Sequence, residues 1–256
     1  MAKSEFVLGH EAVGHKLNVR RELSRIRRDP LEAFLLVLGE DPHGIFSSDV
    51  SRYHDAYLNY FLAMRRFFEN MSITYRYNSS VRDKRGYRSK YTSHEQRISD
   101  KYRALRPYLE FDIVNCLLHT RILLDRVAGL SRRFLRLRQT PSFTSFSDHK
   151  KFFERQASPL TRHEDYADYL RNHTGWFEVP VKEVRDKFVV HAAPKHMRFV
   201  VRPNNYEVEL MIFLPDEKES LARTTAIRVN PLRMSYDIEI FLNWFSAYGS
   251  AAASMA

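Results

Sequence analysis

Apolar positions recur at helical spacing along most of the chain. In SSDVSRYHDAYLNYFLAMRRFFENM (47–71), Val50, Tyr53, Tyr57, Tyr60 or Phe61, Met64 and Phe67 or Phe68 fall every three or four residues. That period predicts an amphipathic helix, with Ser47 or Ser48 placed to cap it. DPLEAFLLVLGEDPHG (29–44) opens on Asp29 as N-cap and Pro30 at the first helical position and closes on Gly39, the pattern of a short buried helix. HEQRISDKYRALRPYLEFDIVNCLLHTRILLDRVAGL (94–130) reads as one long helix with a core face of Ile113, Leu117, Ile122 or Leu124, and Val127. Pro107 marks a place for a kink in it. Short helices are expected at 147–156 and 164–173, a further one at 175–193, and a terminal one at 231–248.

The intervening stretches differ in character. Residues 1–29 are polar and basic, with Lys16, Arg20, Arg21, Arg25, Arg27 and Arg28 against a thin stripe of Leu17, Leu23 and Ile26. They read as a helix on the body or a basic arm. Residues 72–93 read as a polar, basic loop with interleaved tyrosines, and 131–146 as a basic connector. After Pro194 the period changes: MRFVVR (197–202) and YEVELMIFL (206–214) are strand-like runs separated by PNN, and TTAIRV (224–229) is a candidate third strand. The expected fold is mainly α: a helical bundle over 46–250, a small antiparallel β insertion at about 195–230 before the last helix, and an N-terminal arm and short helix over 1–45. The final GSAAASMA reads as a frayed end.

Composition narrows the partners. The 256 residues are 44% hydrophobic and contain only 8 glycines, which suits long helices around a sizeable core. Lysine and arginine number 41 against 31 acids, a formal charge of +10. That excess favours nucleic acid, an anionic membrane surface or acidic proteins. The single cysteine, Cys116, excludes an internal disulfide and any Cys-based zinc site. Apolar runs such as AFLLVL (33–38) are far shorter than the ~20 residues a membrane span needs, and the N-terminus lacks a signal-peptide layout. The expectation is a soluble cytoplasmic protein with no membrane contact.

One short stretch carries chemistry. VRDKFVVHAAPKH (184–196) sets Arg185, Asp186 and His191 within two helical turns. At ~100° per residue Arg185 and His191 lie ~120° apart around a helix. Pro194 biases Ala193 away from helix, so His191 falls in the last turn, where the helix dipole favours its protonated form. A histidine so placed serves as acid or base near neutral pH. Arg185 offers a planar fork of donors for phosphate oxygens, and Asp186 is placed to orient either. The structural alternative is polar packing at a helix end: Arg185 paired with Glu183, Asp186 or a neighbouring helix, and His191 capping carbonyls.

RDKFVVH resembles the signature of the HEPN superfamily: Arg, a polar residue, a few more residues, then His. The long helix at 94–130 before it, with NCLLHTRILLDRVA (115–128), and the terminal helix at 231–248 after it resemble that family's bundle. The resemblance implies a metal-independent endoribonuclease, a twofold homodimer with two signatures in one cleft, and no cofactor. It implies that His191 assists attack of the ribose 2′-OH and protonates the leaving 5′-oxygen, that Arg185 stabilises the charged phosphorane, and that Asp186 holds the geometry. It also implies the biology of a toxin or phage-defence effector, with an antitoxin or regulatory protein as partner. Some members of the family have lost activity and act as binding modules, so a non-catalytic RNA- or protein-binding bundle is the rival reading.

Other candidates are less specific. His119, Arg121 and Asp125 lie on the long helix, Arg121 and Asp125 at i, i+4. They are candidates for a shell behind the signature, or for an ordinary buried polar network. Arg132, Arg133 and Arg136 in SRRFLRLR (131–138) are candidate RNA contacts, or solvated surface. HEAVGH (10–15) and HAAPKH (191–196) offer no third ligand nearby, so no metal site is expected. No GxxxxGK[ST] loop or GxGxxG fingerprint is present.

Overall fold

A computed structural model describes residues 19–39, 47–77, 81, 90–135, 143–155, 163–183, 186, 196–202, 207–217, 220–229 and 231–254. Over these residues the protein is mainly helical. In chain order the elements are α1 (Val19–Arg27), α2 (Glu32–Gly39), α3 (Ser47–Tyr77), α4 (Ser93–Leu130), α5 (Arg132–Leu135), α6 (Phe146–Arg155) and α7 (Glu164–His173). A 3₁₀ turn (Gly175–Phe177) and a π-helical turn (Glu178–Glu183) follow, then strands β1 (His196–Arg202), β2 (Glu207–Glu217) and β3 (Ser220–Val229), and α8 (Pro231–Ser254). The strands pair antiparallel in the order β1-β2-β3, with Phe199 opposite Leu210 and Ile212 opposite Ile227.

Local chemistry explains the helix starts. Thr92 and Glu95 form a reciprocal capping box, each side chain accepting the other's backbone N–H at 3.2 and 2.8 Å, so α4 begins at Ser93. Ser145 and Asp148 form the equivalent start for α6: the Ser145 hydroxyl accepts the Asp148 N–H and donates to its carboxylate. Asp29 accepts the Leu31 N–H at 2.9 Å ahead of α2. Pro231 takes the first position of α8, where its missing N–H costs nothing.

The chain divides into two compact units. Unit 1 comprises residues 1–27, 62–116 and 187–231. Here the second part of α3 runs antiparallel to the first part of α4. Met64, Phe67, Phe68, Leu109, Ile113 and Cys116 are buried, and Tyr77 stacks flat on Tyr102 at 4.1 Å. Asp112 is buried too. Burial raises its carboxyl above the ordinary value, against the Asn70 amide that donates to it and the Arg66 guanidinium 2.7 Å away.

Unit 2 comprises 28–61, 117–186 and 232–256. Its core is aromatic. Phe34, Phe134, Tyr166 and Phe245 are buried and meet edge to face at 5.3–5.9 Å. Tyr53, fully buried, donates to Asp29 at 2.7 Å, and Tyr57 donates to the Arg28 carbonyl at 2.9 Å. These two bonds tie the entry of α2 to α3.

Several expectations are met: the short helix after Asp29, the helix from Ser47, the long helix continuing through Pro107, and helices near 147–156 and 164–173. Others need correction. Residues 72–77, expected to be loop, are helical: α3 continues to Tyr77, with Thr74 buried and Tyr77 stacked on the Tyr102 ring. Within the connector, Arg132–Leu135 forms a helical turn because Phe134 and Leu135 are buried. The terminal helix does not end at residue 248; it runs to Ser254. The boundary expected after residue 45 lies outside the described residues.

Gly249 shows why α8 continues. A Cβ there would lie 2.8 Å from Cε2 of the buried Phe34 ring and 3.2 Å from the Phe134 ring. Gly129 in α4 has nothing within 4 Å of the same position. The two glycines should therefore respond oppositely to alanine. Gly129→Ala should stabilise by up to ~1 kcal/mol through helix propensity. Gly249→Ala should destabilise, because overpacking costs ~1–3 kcal/mol and offsets that gain. Urea-unfolding midpoints of the two variants decide it; a Gly249→Ala protein at least as stable as the parent would contradict the packing.

Candidate functional site

The signature follows an irregular stretch of helix. The helix expected over 175–193 is not regular: residues 175–177 form a 3₁₀ turn and 178–183 a π turn. Pro180 supplies the reason, since it has no N–H to give the carbonyl four residues earlier. Asp186 is half-buried beyond this stretch. Arg185 and His191 lie outside the described residues.

What positions this segment is the fully buried Phe177, in unit 2. Its ring meets Phe146 edge-on at 4.9 Å, and the Arg121 guanidinium lies over it at 4.7 Å. Arg121 is 6% exposed, so its charge is almost wholly removed from water. Its Nε is 3.3 Å from Asp125, the i, i+4 partner expected from sequence. Neither Nε nor Nη1 makes a hydrogen bond among the described residues. Asp125 also accepts the Phe146 N–H at 2.7 Å and so holds the start of α6.

Lys150, one turn into α6, is a second buried cation beside Phe177, at 6.0 Å from the ring. Its ammonium donates to the Thr174 carbonyl at 3.2 Å and pairs with Glu178 at 3.3 Å. Glu178 also accepts from Lys182 at 2.9 Å. Burial acts to raise the Glu178 carboxyl, but the Lys182 bond and the Lys150 charge outweigh it and hold the group below its ordinary value. Lys150, Lys182 and Glu178, with Arg121 over the Phe177 ring, thus clamp the turn that leads to Asp186.

Sequence reasoning identified Arg121 and Asp125 and missed Lys150, Phe177 and Glu178. The signal for Lys150 was present: in FSDHKKFFER it sits four residues after Phe146 and three before Phe153, on the apolar stripe of its helix. His119 is half-buried, its Nδ1 makes no hydrogen bond among the described residues, and burial lowers its pKa. Arg132 is half-buried and committed in part, with Nη2 3.4 Å from Asp49 and Nε donating to the Gly129 carbonyl at 3.2 Å. Arg133 is half-buried, and Arg136 lies outside the described residues, as do the histidine pairs at 10–15 and 191–196 in whole or part. Among the described residues no group of three or more His, Cys, Asp or Glu is placed to hold a metal ion, and no helix is long and apolar enough to cross a membrane.

No family model, curated protein or solved structure matches the chain.

His149 gives α6 a measurable pH dependence. It is fully buried, with Nε2 3.2 Å from the Tyr166 hydroxyl and its ring edge-on to Phe143 and Phe153. Burial pushes its pKa down to about 3. An unfolded histidine takes a proton near ~6.5, whereas the folded one stays neutral to much lower pH. Between those values the unfolded chain binds more protons, so stability falls as pH drops below ~6.5, by up to ~1.4 kcal/mol per pH unit from this group. Chemical denaturation between pH 7 and 5 should show that slope, and a folded His149→Gln protein should lose it. Equal slopes in both proteins would mean that His149 is protonated in the folded state.

Proposed function

We propose that the protein is a HEPN-type, metal-independent endoribonuclease, a helical bundle with an antiparallel β insertion that acts on RNA as a cytoplasmic homodimer. The observation that carries this reading is the sequence RDKFVVH, set directly after the Phe177-anchored turn of a mainly helical protein. In this reading His191 takes the proton from the ribose 2′-OH and returns one to the leaving 5′-oxygen. Arg185 neutralises the charge that develops on the phosphorane, and Asp186 fixes the geometry of the pair. Arg121 and Asp125 act through the Phe177 clamp, as positioning residues. A toxin or phage-defence role, with an antitoxin or regulatory protein that restrains the activity, follows from the family resemblance.

The rival is a non-catalytic RNA- or protein-binding module, favoured by the same formal charge of +10. Incubation with RNA in EDTA separates the two. Cleavage should leave a 2′,3′-cyclic phosphate. His191→Ala should remove most of the ~10²–10⁴-fold that general acid–base catalysis supplies. Arg185→Lys should also be poor, since an ammonium does not reproduce the planar fork. Asp186→Asn should be the mildest of the three. Cleavage that survives His191→Ala, or that requires Mg²⁺, sinks the assignment; a folded protein that binds RNA without cutting it belongs to the rival class.

A further inference from the structure

The first half of α4 carries an exposed stripe outside the signature. Arg97, Lys101, Ala104, Tyr108 and Phe111 are separated by four, three, four and three residues, and all five are exposed. At ~100° per residue they stay within ~80° of one another around the helix. The stripe therefore runs from two cations to two aromatic rings along one face. Tyr108 is 53% and Phe111 57% exposed. Because they lie on adjacent turns of one helix, their open rings form one apolar patch rather than two isolated residues.

The neighbouring helix completes the stripe. Arg66 of α3 places its guanidinium 5.8 Å from the centre of the Tyr108 ring and 5.6 Å from that of Phe111. Its Nε lies 2.7 Å from the buried Asp112, which anchors the guanidinium where it meets both rings. Asp100, beside Arg97 and Lys101, accepts from Gln96 at 2.8 Å. All of these residues belong to unit 1.

We propose that this stripe is a docking surface for single-stranded RNA, with Arg97 and Lys101 on backbone phosphates and unpaired bases stacked on Tyr108 and Phe111. Charge complementarity selects the occupant. Arg97 and Lys101 at one end of the stripe, and Arg66 beside the rings at the other, draw a polyanion, which releases counterions as it binds. The exposed rings distinguish single strands from duplexes, since ring faces stack on bases that are not already paired and stacked. The guanidinium of Arg66 adds a cation beside the same rings. The choice of RNA rests on the ribonuclease reading; the stripe itself does not depend on cleavage.

The test uses the full-length chain and a fluorescein-labelled 2′-O-methyl oligoribonucleotide of about 12 nucleotides, within the range of single-strand site sizes. This probe has no 2′-hydroxyl to attack, so binding is read whether or not the protein cuts RNA. Anisotropy titrations across a salt series should show tight binding at low salt. Tyr108→Ala/Phe111→Ala should weaken it about tenfold or more through lost stacking, while Tyr108→Phe, which keeps the ring, should bind like the parent. Arg97→Glu/Lys101→Glu should weaken binding and flatten the salt slope by about 1.4, two phosphate contacts at ~0.7 each. Circular dichroism checks that each variant is folded. Unchanged affinity in both double variants would overturn the proposal, and so would a loss from Tyr108→Ala/Phe111→Ala that is as large for a duplex probe. Variants that change sedimentation but not RNA affinity would instead make the stripe a contact between copies.

Discussion

Phe134 is the ring on which unit 2 depends. Phe34, Tyr166, Phe245 and Tyr248 each meet it at a steep angle, with centroids 5.3–5.9 Å away. Such edge-to-face pairs add ~0.5–1.5 kcal/mol each beyond the burial of their area. They come from α2, α7 and α8, so one residue in a four-residue turn brings three helices to a common point. The demand is steric as much as energetic. At Gly249, α8 passes so close to Phe34 and Phe134 that a Cβ there would force a ring to shift. The same burial draws Arg132 down beside Asp49, and a segment that reads as basic surface becomes partly structural.

A second constraint is the burial of charge around Phe177. Removing Arg121 and Lys150 from water is costly, and each is offset by a carboxylate within 3.3 Å and by the face of the Phe177 ring. Breaking one partner would leave a buried, uncompensated charge, a more severe lesion than loss of a surface pair. The turn that precedes Asp186 is therefore held from both sides. Pro180 withholds one donor from the regular ladder there, and the ion pairs and the packed ring hold the turn alongside its π-type bonds.

The helices were legible in the sequence because their signals are local: period, caps, and proline or glycine at the ends. Asp29, Ser47 and the 94–130 periodicity placed three helices to within a few residues. The extension of α3 to Tyr77 was not legible, because polar residues at 72–77 look like loop until Tyr102 is available to stack on. The length of α8 was hidden for the same reason: a Gly, Ser and Ala tail has no apolar stripe, yet Gly249 packs tightly between rings remote in sequence. At the candidate site, the Arg121–Asp125 pair follows from i, i+4 spacing alone. Lys150 and Glu178 are 28 residues apart in the chain, and no local pattern announces their pairing.

The stack of Tyr169 on Trp244 has an optical consequence. The two rings lie parallel, 3.6 Å apart, and Trp244 also faces Tyr248 and Tyr166. Both tryptophans of the chain, Trp176 and Trp244, belong to unit 2. Indole emission and the near-ultraviolet ellipticity of that stack thus originate in one unit, while unit 1 contributes tyrosine and phenylalanine alone. A melt followed at tryptophan wavelengths reports the aromatic core around Phe134, whereas the parts of α3 and α4 that carry Arg66, Tyr108 and Phe111 contain no tryptophan.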